Sequence, residues 1–318
     1  MSKEILGIHH ITAIAGDPQT NIDFYAGMLG LRLVKVTVNF DDPGTYHLYY
    51  GDGAGHPGTI MTFFPWPNAP KGRHGTGQVT HTSFAVPAAS REYWIDRLRT
   101  HMVPLAQSPD RFGEKIVTFS DPDGLTIELV FTKHVNIDRA YQAGPVPIES
   151  AIHGFHSATL SEEGYQRTAG LMTETLGFKL AGQDGNRFRY VIGSGEPGSI
   201  PGSIIDILCA PEERRGSVLV GTVHHIAFRT PDDQQQLAWL KELARLGYNT
   251  SPVMDREYFH SIYFREPGGI LFEIATDPPG FAINETMETL GSSLILPPWL
   301  EPRRAELVAV LPPLNLPS

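Results

Sequence analysis

GIHHITAIAGDP (residues 7–18) and VHHIAFRTPDD (residues 223–233) are one passage written twice. In each, a histidine doublet opens an apolar run with strand character. The run then closes on an aspartate that can cap a helix. His10 stands seven residues before Asp17, and His225 seven before Asp232. Two weaker copies lie between them, VTHTSFAVP (79–87) and GFHSATLS (154–161). Each copy is followed by a closing run: GTIMTFF (58–64), DPDGLTIELV (121–130), GSIIDIL (202–208) and EPGGILFEIATD (266–277). Counted from Gly58, Gly124, Gly202 and Gly269, the fourth residue on is Thr62, Glu128, Asp206 and Glu273. In the opening runs His10, His81 and His225 share one position. The third copy places Ser157 there, with His156 one residue early. This is a fourfold repeat, and histidine and carboxylate at fixed strand positions are what a shared metal site needs.

Working outward, each copy reads as strand, helix, then several strands. After HHITAIAG, Asp17 caps a helix with Pro18 at its first position, and Gly30 ends it. LRLVKVTVNF, TYHLYYGD and GTIMTFF follow as strands between Asp-Pro-Gly and Gly-rich turns. The fourth copy repeats this order, with a helix over DDQQQLAWLKELARLG that stops at Gly247. The second and third copies place helices at REYWIDRLRTH and EGYQRTAGLMTETLG. The fold class is therefore α+β, with four βαβββ modules. A polar, proline-bearing stretch near 134–150 divides the chain into an N-terminal domain (5–133) and a C-terminal domain (150–278). The proline-rich extension 279–318 is expected to be an arm with one short helix. It would lie on the domain face or clasp the partner of a homodimer.

Bulk composition excludes several classes. The 318-residue chain carries a formal net charge of −10 and has no basic stripe, which argues against nucleic-acid and anionic-membrane partners. No run reaches the ~20 apolar residues of a membrane span, and the opening MSKEILGIHH lacks a signal-peptide core. Cys209 is the one cysteine, in the apolar run IIDILCA, and reads as a small core residue. One thiol forms no internal disulfide, so a cytoplasmic location is expected.

HHITAIAGDPQTNIDFYAGMLGL and the block from Tyr263 through Glu266-Pro267-Gly268-Gly269 to Glu273 resemble the vicinal oxygen chelate superfamily of glyoxalase I and extradiol dioxygenases. The block is similar to the type I extradiol signature, in which a tyrosine precedes an acidic-Pro-x-Gly turn and then the metal-binding glutamate. The match departs upstream, where His260 lies only three residues before Tyr263. With NFDDPGTYHLYYGD included, the pattern looks closest to bacterial hydroquinone-type ring-cleaving dioxygenases. The resemblance spans about residues 5–278. It implies a fold of open mixed β-barrels and Fe(II), alternatively Mn(II), as cofactor. It further implies O₂-dependent opening of a small aromatic ring.

Two histidines and one carboxylate on one side of a metal leave three positions for substrate and O₂. Modules one and four would supply His10, His225 and Glu273, with Thr62 at the fourth corner. Modules one and two would supply His10, His81 and Glu128. Modules three and four would supply His225, Glu273 and Asp206. The first pairing is preferred, because module four carries the extradiol-like block and His10 is in register with His225. His156 is displaced by one, which turns a strand residue to the other face. By the same alternation only one member of each doublet, His9/His10 and His224/His225, faces the metal. Tyr263 is the candidate, by resemblance, for hydrogen bonding substrate oxygen. His260 is a candidate acid or base near neutral pH. Tyr258 and Phe259 are candidate aromatic walls, and His47 faces the cavity if modules one and four pair. His81 and Glu128 could mark a vestigial second site, although a hydrogen-bonded strand position suits Glu128 better. The rival functions are a non-redox glyoxalase-like isomerase or thiol transferase using Ni, Zn or Mn as Lewis acid, and a metal-free protein sequestering quinone-like toxins. Glyoxalase-type sites usually add a second carboxylate, so Thr62 favours the dioxygenase.

Overall fold

In the computed structural model, which describes residues 3–106, 109–194 and 196–317, every module folds as expected, but the modules join in crossed pairs. Module one comprises β1 (Ile8–Ala15), α1 (Pro18–Ile22), β2 (Arg32–Asn39), β3 (Asp42–Gly51) and β4 (Ile60–Pro65). Module two comprises β5 (Gln78–Pro87), α2 (Arg91–Thr100), β6 (Leu105–Ala106), β7 (Lys115–Ser120) and β8 (Thr126–Thr132). Module three comprises β9 (Phe155–Glu162), α3 (Gln166–Gly170), β10 (Lys179–Asp184), β11 (Arg187–Val191) and β12 (Ile204–Cys209). Module four comprises β13 (Thr222–Thr230), α4 (Asp233–Arg245), β14 (Met254–Asp255), β15 (Phe259–Arg265) and β16 (Leu271–Pro279).

Within each module the first strand pairs in parallel with the fourth. Two eight-stranded mixed sheets result, β14-β15-β16-β13-β1-β4-β3-β2 and β10-β11-β12-β9-β5-β8-β7-β6. One is built from modules one and four, the other from modules two and three. Each sequence half thus gives one module to each sheet.

Local chemistry sets the element ends. The Asp17 carboxylate accepts from the Thr20 amide at 2.7 Å, and Pro18 opens α1. The helix continues as a π-turn over Asp23–Met28 and ends at Gly30, where φ is +73°. A side chain there would press into Val146, with its Cβ 2.5 Å from a valine methyl. Asp232 caps α4 through the Gln235 amide at 2.8 Å, and Trp239 and Leu243 bury its inner face. Cys209 packs half-buried against the core.

The arm after β16 lies on module one of its own chain. Its short helix α5 spans Arg304–Val310. Buried Lys35 anchors it by donating to the Phe281 carbonyl at 3.1 Å, to Asn284 Oδ1 at 2.7 Å and to Glu285. No helix among the described residues is long and apolar enough to cross a membrane.

The central β1–β13 ladder is irregular where the histidine doublets lie. Its register steps from Ile8↔Phe228 to His10↔Ala227, and from Thr12↔His225 to Ala13↔Val223. His9 and His224 are therefore bulged residues, each sharing a partner position with its neighbour. The β5–β9 ladder repeats the device at Thr80 and His156.

Candidate metal centre

His10 from β1, His225 from β13 and Glu273 from β16 meet at the middle of the first sheet. His10 Nε2 lies 3.2 Å from His225 Nε2 and 3.3 Å from Glu273 Oε2, while His225 Nε2 lies 2.9 Å from the same oxygen. Among the described residues, no other group of three His, Cys, Asp or Glu side chains brings its ligand atoms within 4.8 Å of one another. Crossed pairing places β1 beside β13, which is how residues 215 apart in sequence come into hydrogen-bond range.

The bulges correct the expectation that each doublet splits across the sheet. His9 Nδ1 lies 2.9 Å from His10 Nδ1, and His224 Nδ1 lies 2.8 Å from His225 Nδ1. A bulge suspends strict alternation, so both members of a doublet reach the same side. With His9 Nδ1 accepting from His10 Nδ1–H, the His10 Nε2 lone pair faces His225 and Glu273.

Burial opposes charge on the imidazoles. It lowers His9 well below the usual range, lowers His225 against the pull of Glu273, and lowers His224 to about 3. Burial alone would push the Glu273 carboxyl up. The neighbouring imidazoles of His10 and His225 outweigh that and hold it well below the usual carboxylate range. Ser261 donates to Glu273 Oε1, whereas buried Oε2 has no aligned hydrogen-bond donor. An orphaned carboxylate oxygen between two imidazole nitrogens is a donor set that fits a divalent first-row metal.

A cavity of about 300 Å³ adjoins these three residues, walled by Phe40, Tyr49, Phe64 and Phe259 among others. His47 lines it, with Nε2 2.9 Å from Thr62 Oγ1 and Nδ1 2.8 Å from the Tyr49 hydroxyl. Burial, reinforced by His10 and His225, lowers the His47 pKa well below its usual value. At the fourth corner, the Thr62 hydroxyl is spent on Thr12 at 2.8 Å and on His47. Tyr263 lines the cavity with its ring edge-on to His225, centroids 5.6 Å apart. Burial raises its pKa, so the phenol stays protonated.

Two expected site residues lie elsewhere. His260 points to the helix side of β15, where it bonds Asp233 of α4 at 2.6 Å. Phe259 lines the cavity and Ser261 bonds Glu273, so strand alternation excludes the residue between them. Tyr258 is buried behind the wall, against Tyr49 and Phe281 with centroids 5.9 and 5.0 Å away. Phe259 alone of that pair forms the wall. Arg256, which the sequence did not single out, lines the cavity and donates from Nε to the Tyr263 hydroxyl at 3.3 Å.

The equivalent corners of the second sheet are filled by arginines. Glu128 accepts from Ser83 at 2.7 Å and from Arg111 at 2.5 Å. Arg189 holds Asp206 at 2.8 and 3.0 Å. Glu128 is thus hydrogen-bonded and buried, with His81 on the strand beside it.

The family model described as "Glyoxalase/Bleomycin resistance protein/Dioxygenase superfamily" matches residues 7–129 and 154–274. The chain is 50% identical to MhqO of Bacillus subtilis (strain 168), a provisionally assigned ring-cleaving dioxygenase, over 99% of each chain. It is 34% identical to the chlorohydroquinone/hydroquinone 1,2-dioxygenase of Sphingobium indicum, over 98% of this chain and 97% of that one. A crystal structure of a provisionally assigned dioxygenase from B. subtilis superposes with a TM-score of 0.93, at 49% identity and 99% coverage of both chains.

Proposed function

The chain belongs to the glyoxalase/bleomycin resistance protein/dioxygenase superfamily, and from that premise we propose that it is a metal-dependent dioxygenase opening hydroquinone or catechol rings. His10, His225 and Glu273 hold the ion, Fe(II) or alternatively Mn(II). The observation that carries this reading is the fourth corner. Thr62 offers no carboxylate, and its hydroxyl is occupied by Thr12 and His47. Three protein ligands then leave room for both substrate and O₂, the requirement of this oxygenase class. The names of the relatives support the same reaction class.

When bound, the ion supplies the redox chemistry by which O₂ and a hydroxylated ring react. The overall change breaks one ring C–C bond beside a hydroxyl-bearing carbon. Both oxygen atoms enter the product, as a carboxylate and an aldehyde. The protein's own groups bind and orient. Phe64 and Phe259 wall the ring, and the protonated Tyr263 hydroxyl donates to substrate oxygen. Neutral His47, with both ring nitrogens engaged, gives a polar wall without a competing charge. Closure by aromatic side chains limits water at the reacting centre.

The test is anaerobic loading with Fe(II), Mn(II), Zn(II) or Ni(II), followed by oxygen uptake with hydroquinone and catechol. Uptake with Fe(II) or Mn(II), lost in His10→Ala and Glu273→Gln and kept in His156→Ala, is the expected result. No uptake with any metal, together with isomerisation of a glyoxal–thiol adduct by the Ni(II) or Zn(II) form, would sink the proposal.

A further inference from the structure

We infer that the C-terminal arm is part of the ring-binding site, with Trp299 as the positioning residue that holds the Phe40 wall in place. This rests on the reading above, in which the cavity beside His10, His225 and Glu273 receives the ring. Phe40 and Asp41 form the β2–β3 turn, between the paired residues Asn39 and Asp42. Asn39, Phe40 and Asp41 all line the cavity. A two-residue turn carries little packing of its own, so its neighbours decide where the Phe40 ring stands.

Contacts from outside module one reach this turn. Asp41 pairs with Arg256 of module four at 3.0 Å, but its carboxylate lies largely in water, which makes the pair a weak one. From the arm, Trp299 meets the Phe40 ring with centroids 5.5 Å apart and planes at 78°. Edge-on contacts of this kind are a favoured aromatic geometry.

The arm is itself fixed to both strands of the hairpin whose tip it touches. Val36 of β2 pairs with Leu294, and its carbonyl accepts from the Ile295 amide at 2.9 Å. On β3, the Tyr46 hydroxyl donates to the Pro312 carbonyl at 2.9 Å. Between these points Leu296 and Leu300 are buried, and the Leu300 amide donates to the Pro297 carbonyl at 2.9 Å. The turn that carries Trp299 is thus anchored by its neighbours. Trp299 stays 50% exposed, so replacing it removes the contact with Phe40 and leaves those anchors in place.

The experiment follows binding of hydroquinone by anaerobic calorimetry on the Zn(II)-loaded full-length protein, and of Zn(II) by competition with a chelator. The proteins are wild type, Trp299→Ala, Trp299→Phe, Phe40→Ala and the double alanine variant. Trp299→Ala should weaken hydroquinone about 2- to 10-fold, the range of an edge-on ring contact. Zn(II) affinity should stay within about twofold, since the wall is not part of the ligand set. Trp299→Phe keeps a ring and should recover most of the loss. Because Trp299 acts through Phe40, the double variant should bind within about twofold of Phe40→Ala. In oxygen uptake the loss should fall on KM, with kcat within about twofold. Unchanged hydroquinone affinity in Trp299→Ala, a parallel loss of Zn(II) affinity, no recovery in Trp299→Phe, losses that multiply in the double variant, a loss confined to kcat, or no binding of hydroquinone to wild type overturns the inference. Binding that depends on Trp299 in this way, without oxygen uptake for any metal, overturns the dioxygenase reading alone.

Discussion

Replacing His9 by alanine should weaken metal binding although His9 is not itself a ligand. The structure sets the size of the effect. His9 is 2% exposed, its Nδ1 lies 2.9 Å from the Nδ1 of His10, and its ring sits 4.9 Å from that of Phe259. His9→Ala frees the His10 ring to turn and lets its tautomer equilibrate. Loss of such an outer partner typically costs 10- to 100-fold in metal affinity, or about 1.4–2.8 kcal/mol. His224→Ala should act equally on His225, through a contact of 2.8 Å. Because each partner holds a different ligand, the two losses should add, giving roughly 10²- to 10⁴-fold in the double variant. Competition for Zn(II) against a chromophoric chelator measures this without redox chemistry, with circular dichroism as a check on folding. His156→Ala removes the bulged histidine of the other sheet and serves as control. Affinities within about threefold of wild type in both single variants, or an equal loss in His156→Ala, would refute the reasoning.

Three further outcomes are expected. His260→Ala should leave oxygen uptake within about twofold and stability within ~1 kcal/mol, because the His260–Asp233 contact is a partly exposed pair on the helix side. Lys35→Met should destabilise by about 3–5 kcal/mol in denaturant unfolding, since it strands the buried Glu285 carboxylate; adding Glu285→Gln should recover part of the loss. Burial and the neighbouring Glu266 carboxyl push Glu162 up, to about 8. For a carboxyl raised in the folded state, the unfolded chain ionises first as pH rises. Stability is therefore full below the ordinary carboxylate range, falls from there to about pH 8, and stays low above it. Glu162→Gln should raise the melting temperature at pH 8 and leave it nearly unchanged at pH 4.

The repeat and the convergence of His10, His225 and Glu273 were legible because both follow from counting. Four closing strands in register put Glu273 at a fixed position, and the shared distance to Asp17 and Asp232 selected His10 and His225 within their doublets. The bulges were not legible. Whether His9 alternates with His10 depends on how β1 meets β13, a pairing between distant parts of the chain that no local pattern encodes. His260 was misplaced by setting its chemistry before its position. It lies an odd number of residues from Tyr263, and the alternation already used against His156 assigns it to the far face. Tyr258 fell one residue before the strand that carries the wall. Arg256 carried no signal, because it reaches the cavity from a turn whose course depends on a left-handed Glu257 and on an aspartate in another module.

Crossed pairing ties the site to completion of the chain. His10 stands in the first strand, whereas His225 and Glu273 are supplied by the last module. A chain cut short between β13 and β16 lacks Glu273, and one that ends before β13 carries only His10 of the three converging residues. The strand that would flank β1 is also missing, and its open edge must wait for β13, the kind of distant closure that slows folding. The proposed metal centre would thus assemble only in a chain that has already joined its beginning to its end.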